Sequence, residues 1–467
     1  MVLSLVNRVK TVFSGWLWIE RMVFFGIAVF SVFSVWSSLF RDFDHDEFEA
    51  LHSAWLSFSG QTIYIDFFQH HHFLLYYSLA PVFAIFGEGV DAIVVARLLS
   101  LAMMLGIIFL TYRIARLVYD RNIAILSVFF LMTTFTFFDK AIEVRPDVPL
   151  VLMELLSVFF LLSYFRFREV WRLVASVVAL FVGFLFLQKA VFLGILIGML
   201  LLYKVWRGEF GWREFLAYWG LFSALIAGFV WYVSTTFSWS EYFFLNWELN
   251  TKLLNTFPLY KYFLRSVAQS PLLWGLFVSG IVIMIRKRTF DDIAFFAIGL
   301  LGFIFTTKSP FPQYYLMSIP FVAIVSAVFF EKFRERKAGV ALLLVTLSIA
   351  WSFGAALYMW RSNEAQLAKV SYVLSVTSEE DLVYDGDAQF NVFRKDIDYF
   401  WYSLKPKTGN LTAYRLVRDY EYDPYRLFDE KKPKVVSSSF IKTKNPAVTD
   451  HYTKSDVFGD LYIRNDE

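Results

Sequence analysis

Cysteine is absent from the 467 residues, and charged side chains make up only 18% of them. The first absence excludes disulfides, thiolate nucleophiles and thiol-ligated metals, although it does not by itself identify a compartment. The second, set against 58% hydrophobic and 20% aromatic residues, excludes an ordinary soluble globular chain. No internal repeat, low-complexity tract or glycine-rich phosphate loop stands out. What remains is a protein whose solvent is the lipid bilayer.

Crossing a hydrocarbon core of about 30 Å takes about 20 apolar residues as a helix. Such runs recur through residues 1–360 and then stop. Crossings are expected at Ile19–Phe40, Ala92–Leu117, Ile123–Phe138, Val148–Phe165, Leu173–Leu187, Ala190–Tyr203, Phe215–Phe237, Leu272–Ile285, Ile293–Phe305, Tyr314–Phe330 and Val340–Trp360. The expected fold class is therefore an all-α polytopic membrane protein of about eleven spans with a small C-terminal α/β domain.

Sidedness follows from the basic residues. With Arg8 and Lys10 inside, the clusters Arg113 to Arg121, Arg166 to Arg172, Lys204 to Arg213, Arg286 to Arg288 and Lys332 to Lys337 all fall on the same side, as the positive-inside tendency requires. The first run is too long and too weakly flanked for a cleavable signal peptide, and reads as an anchor. The stretch 173–203 could form one long helix, but that would place Lys204 and every later basic cluster outside. Two short arms meeting at Lys189 are preferred. At about 1.5 Å per residue each arm is shorter than the core, so Lys189 is expected to lie recessed in a protein-lined cavity.

The expected outer loops are 41–91, 139–147, 238–271 and 306–313, within a membrane domain at 1–360. The first contains an apolar run, Phe73–Phe86, that reads as an interfacial or re-entrant helix. Beyond Trp360 the composition becomes polar, and Asp381–Tyr384 and Val435–Phe440 read as strands. Residues 361–467 are expected to form an extracytoplasmic domain.

The outer loops hold the chemistry-bearing residues. Asp44, Asp46, Glu47 and Glu49 surround His45 directly after the first span; a solvated helix start would explain them, and so would a carboxylate that deprotonates an acceptor hydroxyl beside a bound divalent cation. Asp66 leads to His70, His71 and His72, which cannot all face one way, so the triplet alone does not make a metal site. Candidate metal ligands are Asp46, Glu47 and His71. The second loop brings Glu143, Arg145 and Asp147 just before a helix, and Asp147 could be no more than a helix-start charge. Lys189 either binds an anion or snorkels to the interface. Lys308, Gln313, Tyr314 and Tyr315 complete the set.

In order and spacing, Asp46-Glu47, the segment Gly60 to Asp66 leading to Pro81, Arg145-Pro146-Asp147, Gln188-Lys189-Ala190 and Gln313-Tyr314-Tyr315 resemble motifs of the GT-C superfamily of integral-membrane glycosyltransferases, particularly the protein O-mannosyltransferases and the bacterial lipid A aminoarabinose transferase. The resemblance covers residues 1–360. It departs at His70-His71-His72, where many members carry a Pro-Pro turn, and at Ala190, where they carry glycine. It implies inverting transfer of a sugar from a polyprenyl-phosphate donor to a hydroxyl of a glycan, lipid or protein. Asp46 would act as base with Glu47 and Asp147 beside it; Lys189, Arg145, Lys308 and Tyr314 would bind the donor phosphate; Asp44, Asp66, His70 and Glu143 would contact acceptor or sugar. Membrane lipids are expected partners and nucleic acid is not. The competing reading is a transporter or flippase, whose sites usually lie at the midplane between repeated halves.

Overall fold

The computed structural model describes residues 18–252, 258–308 and 310–465. Arg8, Lys10 and parts of the loops 238–271 and 306–313 lie outside the described residues.

The chain is mostly helical, with helices at each of the expected apolar runs. Five are long and apolar enough to cross a bilayer: Trp18–Phe40, Val90–Val118, Asp147–Phe167, Trp212–Thr236 and Ala338–Met359. A sixth arises if Tyr260–Gln269 and Pro271–Lys287, bent by 106° at Ser270, form one broken span. These make it an integral membrane protein. The remaining apolar helices, among them Arg121–Met132, Val170–Phe186, Ala190–Trp206 and Asp292–Thr306, are shorter than an unaided crossing requires. Length and composition thus support fewer spans than the sequence led us to expect.

Local chemistry explains the shorter pieces. The expected span 123–138 is two helices, because the hydroxyls of Thr133 and Thr134 bond back to Phe129 O and Phe130 O at 2.9 and 2.6 Å and end the first at Met132. The expected span 314–330 starts as a 3-10 turn, Pro312–Met317, and becomes α-helical only from Ile319. The apolar stretch around Lys189 is indeed two arms, broken between Phe186 and Ala190. Helix Leu74–Phe86 occupies the apolar run within residues 41–91.

That loop opens with helix His45–Phe58. Asp44 caps it, accepting from Asp46 N at 3.1 Å, while Glu47 accepts from Asp44 N at 3.0 Å. The C-terminal residues form a four-stranded sheet from β1 (Val383–Tyr384), β2 (Val435–Ser437), β3 (Tyr452–Lys454) and β4 (Leu461–Arg464), in the order β1-β2-β4-β3. Only the β1–β2 pair is parallel. Both strands are shorter than the sequence runs suggested. The segment before β2 packs onto residues 41–91: Phe68 N donates to Tyr399 O at 2.9 Å, Trp401 Nε1 donates to Phe68 O at 3.1 Å, and buried His52 lies 2.6 Å from Asp396.

Candidate functional site

A buried arginine inside an apolar helix demands a counter-charge, and that demand organises the loops. Arg97, wholly buried in helix Val90–Val118, pairs through Nε and Nη2 with the two carboxylate oxygens of Glu47, stacks over the Phe43 ring at 3.6 Å, and donates to Asp42 O at 2.8 Å. Glu47 also accepts from Val144 N at 3.0 Å. It thereby clamps the segment after the first long helix to the segment before Asp147. Glu47 is fully enclosed by these partners and does not reach the cavity, so the expectation that it faces an acceptor or a cation does not fit the geometry.

The clamp sets helix His45–Phe58 against the segment preceding Asp147, with a cavity of about 970 Å³ between them and the turn around Tyr314. Asp46, one step along the helix from Glu47, points into this cavity and receives a direct salt bridge from Arg145. Arg145 also reaches Glu143 at 3.3 Å and Asp44 at 3.6 Å. Glu143 is buried and further paired with Lys140 at 2.7 Å and Arg41 at 3.1 Å. Opposite, Lys189 projects from the break between its two helices, 2.7 Å from Asp147 and 3.3 Å above the centre of the Tyr314 ring.

A second wall carries little charge. Glu49, one turn beyond Asp46, is buried and receives a hydrogen bond from Gln69 Nε2. Burial pushes its carboxyl up to about 8, the Gln69 bond opposing. Burial likewise holds His70 down at about 4 and His71 well below its usual value, so both are neutral. His70 Nδ1 lies 2.6 Å from Tyr402 Oη, whereas His71 Nδ1 is buried without a partner. The third histidine, His72, faces away, between Phe184 O and Tyr242 Oη at 2.5 and 2.7 Å.

At the acidic end, the hydrogen bond that His45 Nδ1 donates to Asp44 raises His45 to about 9 against its partial burial. Burial pushes Asp44 up, but His45, Arg145 and Lys140 outweigh it and hold Asp44 well below the carboxylate range. Asp44, His45 and Asp46 place one ligand atom each within 4.8 Å of one another. Any cation held here would use that trio rather than Asp46 with Glu47 and His71, and a protonated His45 would oppose it.

Two expected residues lie elsewhere. Asp66 is exposed and closes its own turn, accepting from Thr62 N at 2.6 Å. Lys308 is exposed and not part of the cavity wall. Conversely, Lys140, Arg265, Tyr402, Lys405 and Asn410 line the cavity without having been singled out, and Glu49, noted only as part of the acidic cluster, lines it too. Lys140 stands three residues before Glu143, a signal the sequence did offer. Tyr402 to Asn410 come from the C-terminal part, and no local pattern announces them. Their loop depends on Gly409, where a Cβ would fall 1.9 Å from Ser403 O.

Residues 70–239 match the family described as dolichyl-phosphate-mannose-protein mannosyltransferase. No curated protein sequence matches the chain significantly. Among solved structures, ArnT from Cupriavidus metallidurans, determined bound to undecaprenyl phosphate, superposes with a TM-score of 0.69 at 14% identity over 95% of this chain and 97% of that one. The archaeal oligosaccharyltransferase AglB from Archaeoglobus fulgidus, in complex with an inhibitory peptide and a dolichol-phosphate, gives 0.51 at 12% identity over 96% of this chain and 74% of that one. The fold is that of the GT-C glycosyltransferases, as the sequence motifs suggested. Within that class the likeness to ArnT runs nearly end to end.

Proposed function

We propose that this protein is a glycosyltransferase that moves a sugar from a polyprenyl-phosphate carrier to a hydroxyl of a glycan, lipid or protein acceptor on the outer face of the membrane, with inversion. The observation that carries the reading is the meeting, in one cavity, of a half-exposed carboxylate, Asp46, with two cations, Arg145 and Lys189, from other segments.

The acceptor oxygen attacks the anomeric carbon while its proton passes to Asp46. The bond from that carbon to the phosphate oxygen breaks, and the lipid phosphate departs with the electron pair. Lys189 and Arg145 neutralise the charge that builds on it, which stabilises the transition state more than the ground state. Arg145 exchanges Asp46 for the phosphate and so frees the carboxylate to take the proton. Asp147 and Tyr314 fix the lysine ammonium in place. A lipid-linked donor also accounts for a site built in a membrane protein, since its tail needs an apolar surface and its head needs these polar walls. In the AglB and ArnT structures the bound lipids are dolichol-phosphate and undecaprenyl phosphate, which favours the same donor class here.

Purified protein in nanodiscs, given undecaprenyl-phosphate sugars and membrane extracts as acceptor, is expected to release undecaprenyl phosphate in proportion to sugar transferred. Movement of donor lipid between leaflets without any transfer would defeat the reading. The proposed topology has about eleven crossings, with the site and residues 361–467 outside. Because the chain has no cysteine of its own, single cysteines are clean reporters. Those at positions 46, 189 and 400 should label from outside, and those at 207 and 335 from inside. Inside labelling at 400 would refute the topology.

A further inference from the structure

Helix Trp18–Phe40 ends one residue before Arg41, in the wall of the cavity already described, and begins at another. This second cavity, of about 120 Å³, lies between the first turns of helices Trp18–Phe40 and Arg121–Met132 and the last turns of helix Ile319–Arg336. Along the helix axis the two are separated by about 33 Å.

The polar part of its wall is Glu20, Arg121, Asn122, Glu331 and Arg334, two acids and two cations, so the wall is neutral as a whole. Glu331 is only 7% exposed. Its Oε1 accepts from Arg334 at 2.6 Å and from Asn122 Nδ2 at 3.2 Å, which ties the start of one helix to the end of another. Arg334 also reaches Glu20 at 3.5 Å. Two groups are left over. Glu331 Oε2 is buried without a hydrogen-bond partner, and the side chain of Arg121, next to Asn122, has neither ion pair nor hydrogen bond among the described residues.

A buried carboxylate oxygen left unbonded is costly, and a ligand that donates to it offsets the cost. An ion of one sign answers only half of this wall. A metal cation would meet Glu331 but also Arg334, and an inorganic anion would meet Arg121 but face Glu331 and Glu20. A zwitterion answers both leftover groups and keeps the site neutral. Hydrogen bonding narrows its cation, because Oε2 needs an N–H, which a primary ammonium has and a quaternary one lacks. The fork of Arg121 suits a phosphate at the other end.

The rest of the wall is apolar. Ile125 lies one turn beyond Arg121 on the same face of its helix, and Ile19 and Val23 form a matching strip on helix Trp18–Phe40. Polar residues thus stand at the helix ends, and the apolar strip runs from them into a segment long enough to cross the bilayer, the order of headgroup and acyl chain in a lipid. Phe25 and Val32 on the same helix are exposed, so its outer flank is open to lipid.

We propose that this cavity binds a phospholipid headgroup carrying a phosphate and a primary ammonium, as phosphatidylethanolamine does, with the phosphate on Arg121 and the ammonium on Glu331 Oε2. In the proposed topology the lipid belongs to the inner leaflet, across the membrane from the transfer site. The two cavities share no lining residue, and this assignment stands apart from the glycosyltransferase reading.

The test titrates the delipidated full chain in detergent with the dioleoyl forms of phosphatidylethanolamine, phosphatidylcholine and phosphatidylglycerol, and counts bound lipid by native mass spectrometry. Wild type is expected to bind phosphatidylethanolamine at least about tenfold more tightly than either of the others, the scale of one hydrogen bond to a charged group. Arg121→Ala removes an exposed side chain that makes no bond within the fold. It should weaken phosphatidylethanolamine about tenfold, and phosphatidylcholine as well, because both carry the phosphate. Glu331→Gln should weaken phosphatidylethanolamine alone and bring it within about threefold of phosphatidylcholine. Equal binding of these two lipids by wild type overturns the ammonium site, and so does phosphatidylglycerol bound as tightly as phosphatidylethanolamine. An Arg121→Ala variant that binds like wild type overturns the phosphate contact. Free phosphoethanolamine that competes as well as the lipid would make the ligand a soluble zwitterion and overturn the lipid assignment. Should Glu331→Gln fail to fold, the three-lipid comparison on wild type and Arg121→Ala still decides.

Discussion

The ammonium of Lys189 is held between the Asp147 carboxylate, 2.7 Å away, and the face of the Tyr314 ring, 3.3 Å away. Three segments far apart in sequence thus fix one charge. Lys189→Ala should weaken binding of undecaprenyl phosphate and slow transfer together, because the charge on the departing phosphate grows as the bond breaks. Lys189→Arg should restore only part, since a planar fork does not replace a compact ammonium in that clasp. Kinetics and lipid affinity measured on the same preparations check this. An alanine variant that binds and turns over normally would reduce Lys189 to a snorkelling residue.

Asp46→Asn keeps size and polarity and removes the base. Transfer should fall by at least about a hundredfold while the folded protein and its affinity for bare undecaprenyl phosphate persist. Turnover close to wild type would move the role to Asp44, the neighbouring cavity carboxylate.

Arg97 and Glu47 act on stability rather than chemistry. Arg97→Met leaves a buried, unpaired carboxylate and should destabilise by about 3–5 kcal/mol, seen as a lowered melting temperature in detergent. The double variant with Glu47→Leu should recover part of that loss. If the single variant is as stable as wild type but inactive, the pair belongs to the reaction after all.

Glu49 also leaves a signature in the pH dependence of stability. Its carboxyl is raised in the folded protein from 4.5 to about 8, so the fold binds the extra proton between those values. The contribution is fully present below 4.5 and is lost as pH rises through about 8. Glu49→Gln should flatten that decline in thermal stability relative to wild type. Parallel profiles across the window would contradict a protonated Glu49.

The parts of this site readable in the sequence are those whose cost is local. A lysine interrupting an apolar run, and a knot of acids straight after a span, each pointed to Lys189 and Asp46 without knowledge of packing. Glu47 was misread because its neighbour shares its chemistry but not its direction. Successive residues on a helix point about 100° apart, so Asp46 faces the cavity and Glu47 the buried Arg97. Arg97 carried its own signal, an arginine set among apolar residues well before the basic end of its helix, and that signal predicts a buried acid without saying which one. Tyr402, Lys405 and Asn410 were illegible for a different reason. Their place in the cavity exists only because the C-terminal part folds back onto residues 41–91. The helix breaks at Thr133 and Thr134 were hidden by side chains that look compatible with a span yet bond to their own backbone.

The short helices beside the site have a consequence for the membrane itself. Val170–Phe186, Ala190–Trp206 and Asp292–Thr306 run 17, 17 and 15 residues, or about 22–26 Å of rise. In the proposed topology their lipid-facing sides are shorter than a bilayer core of about 30 Å, and the surrounding leaflets must pinch to meet them, at a fraction of a kcal/mol per Å. A local dimple of this kind draws the headgroup plane down towards Lys189. A long-chain lipid drifting past would have its phosphate lowered to the height of the ammonium by the shape of the bilayer, before any side chain touches it.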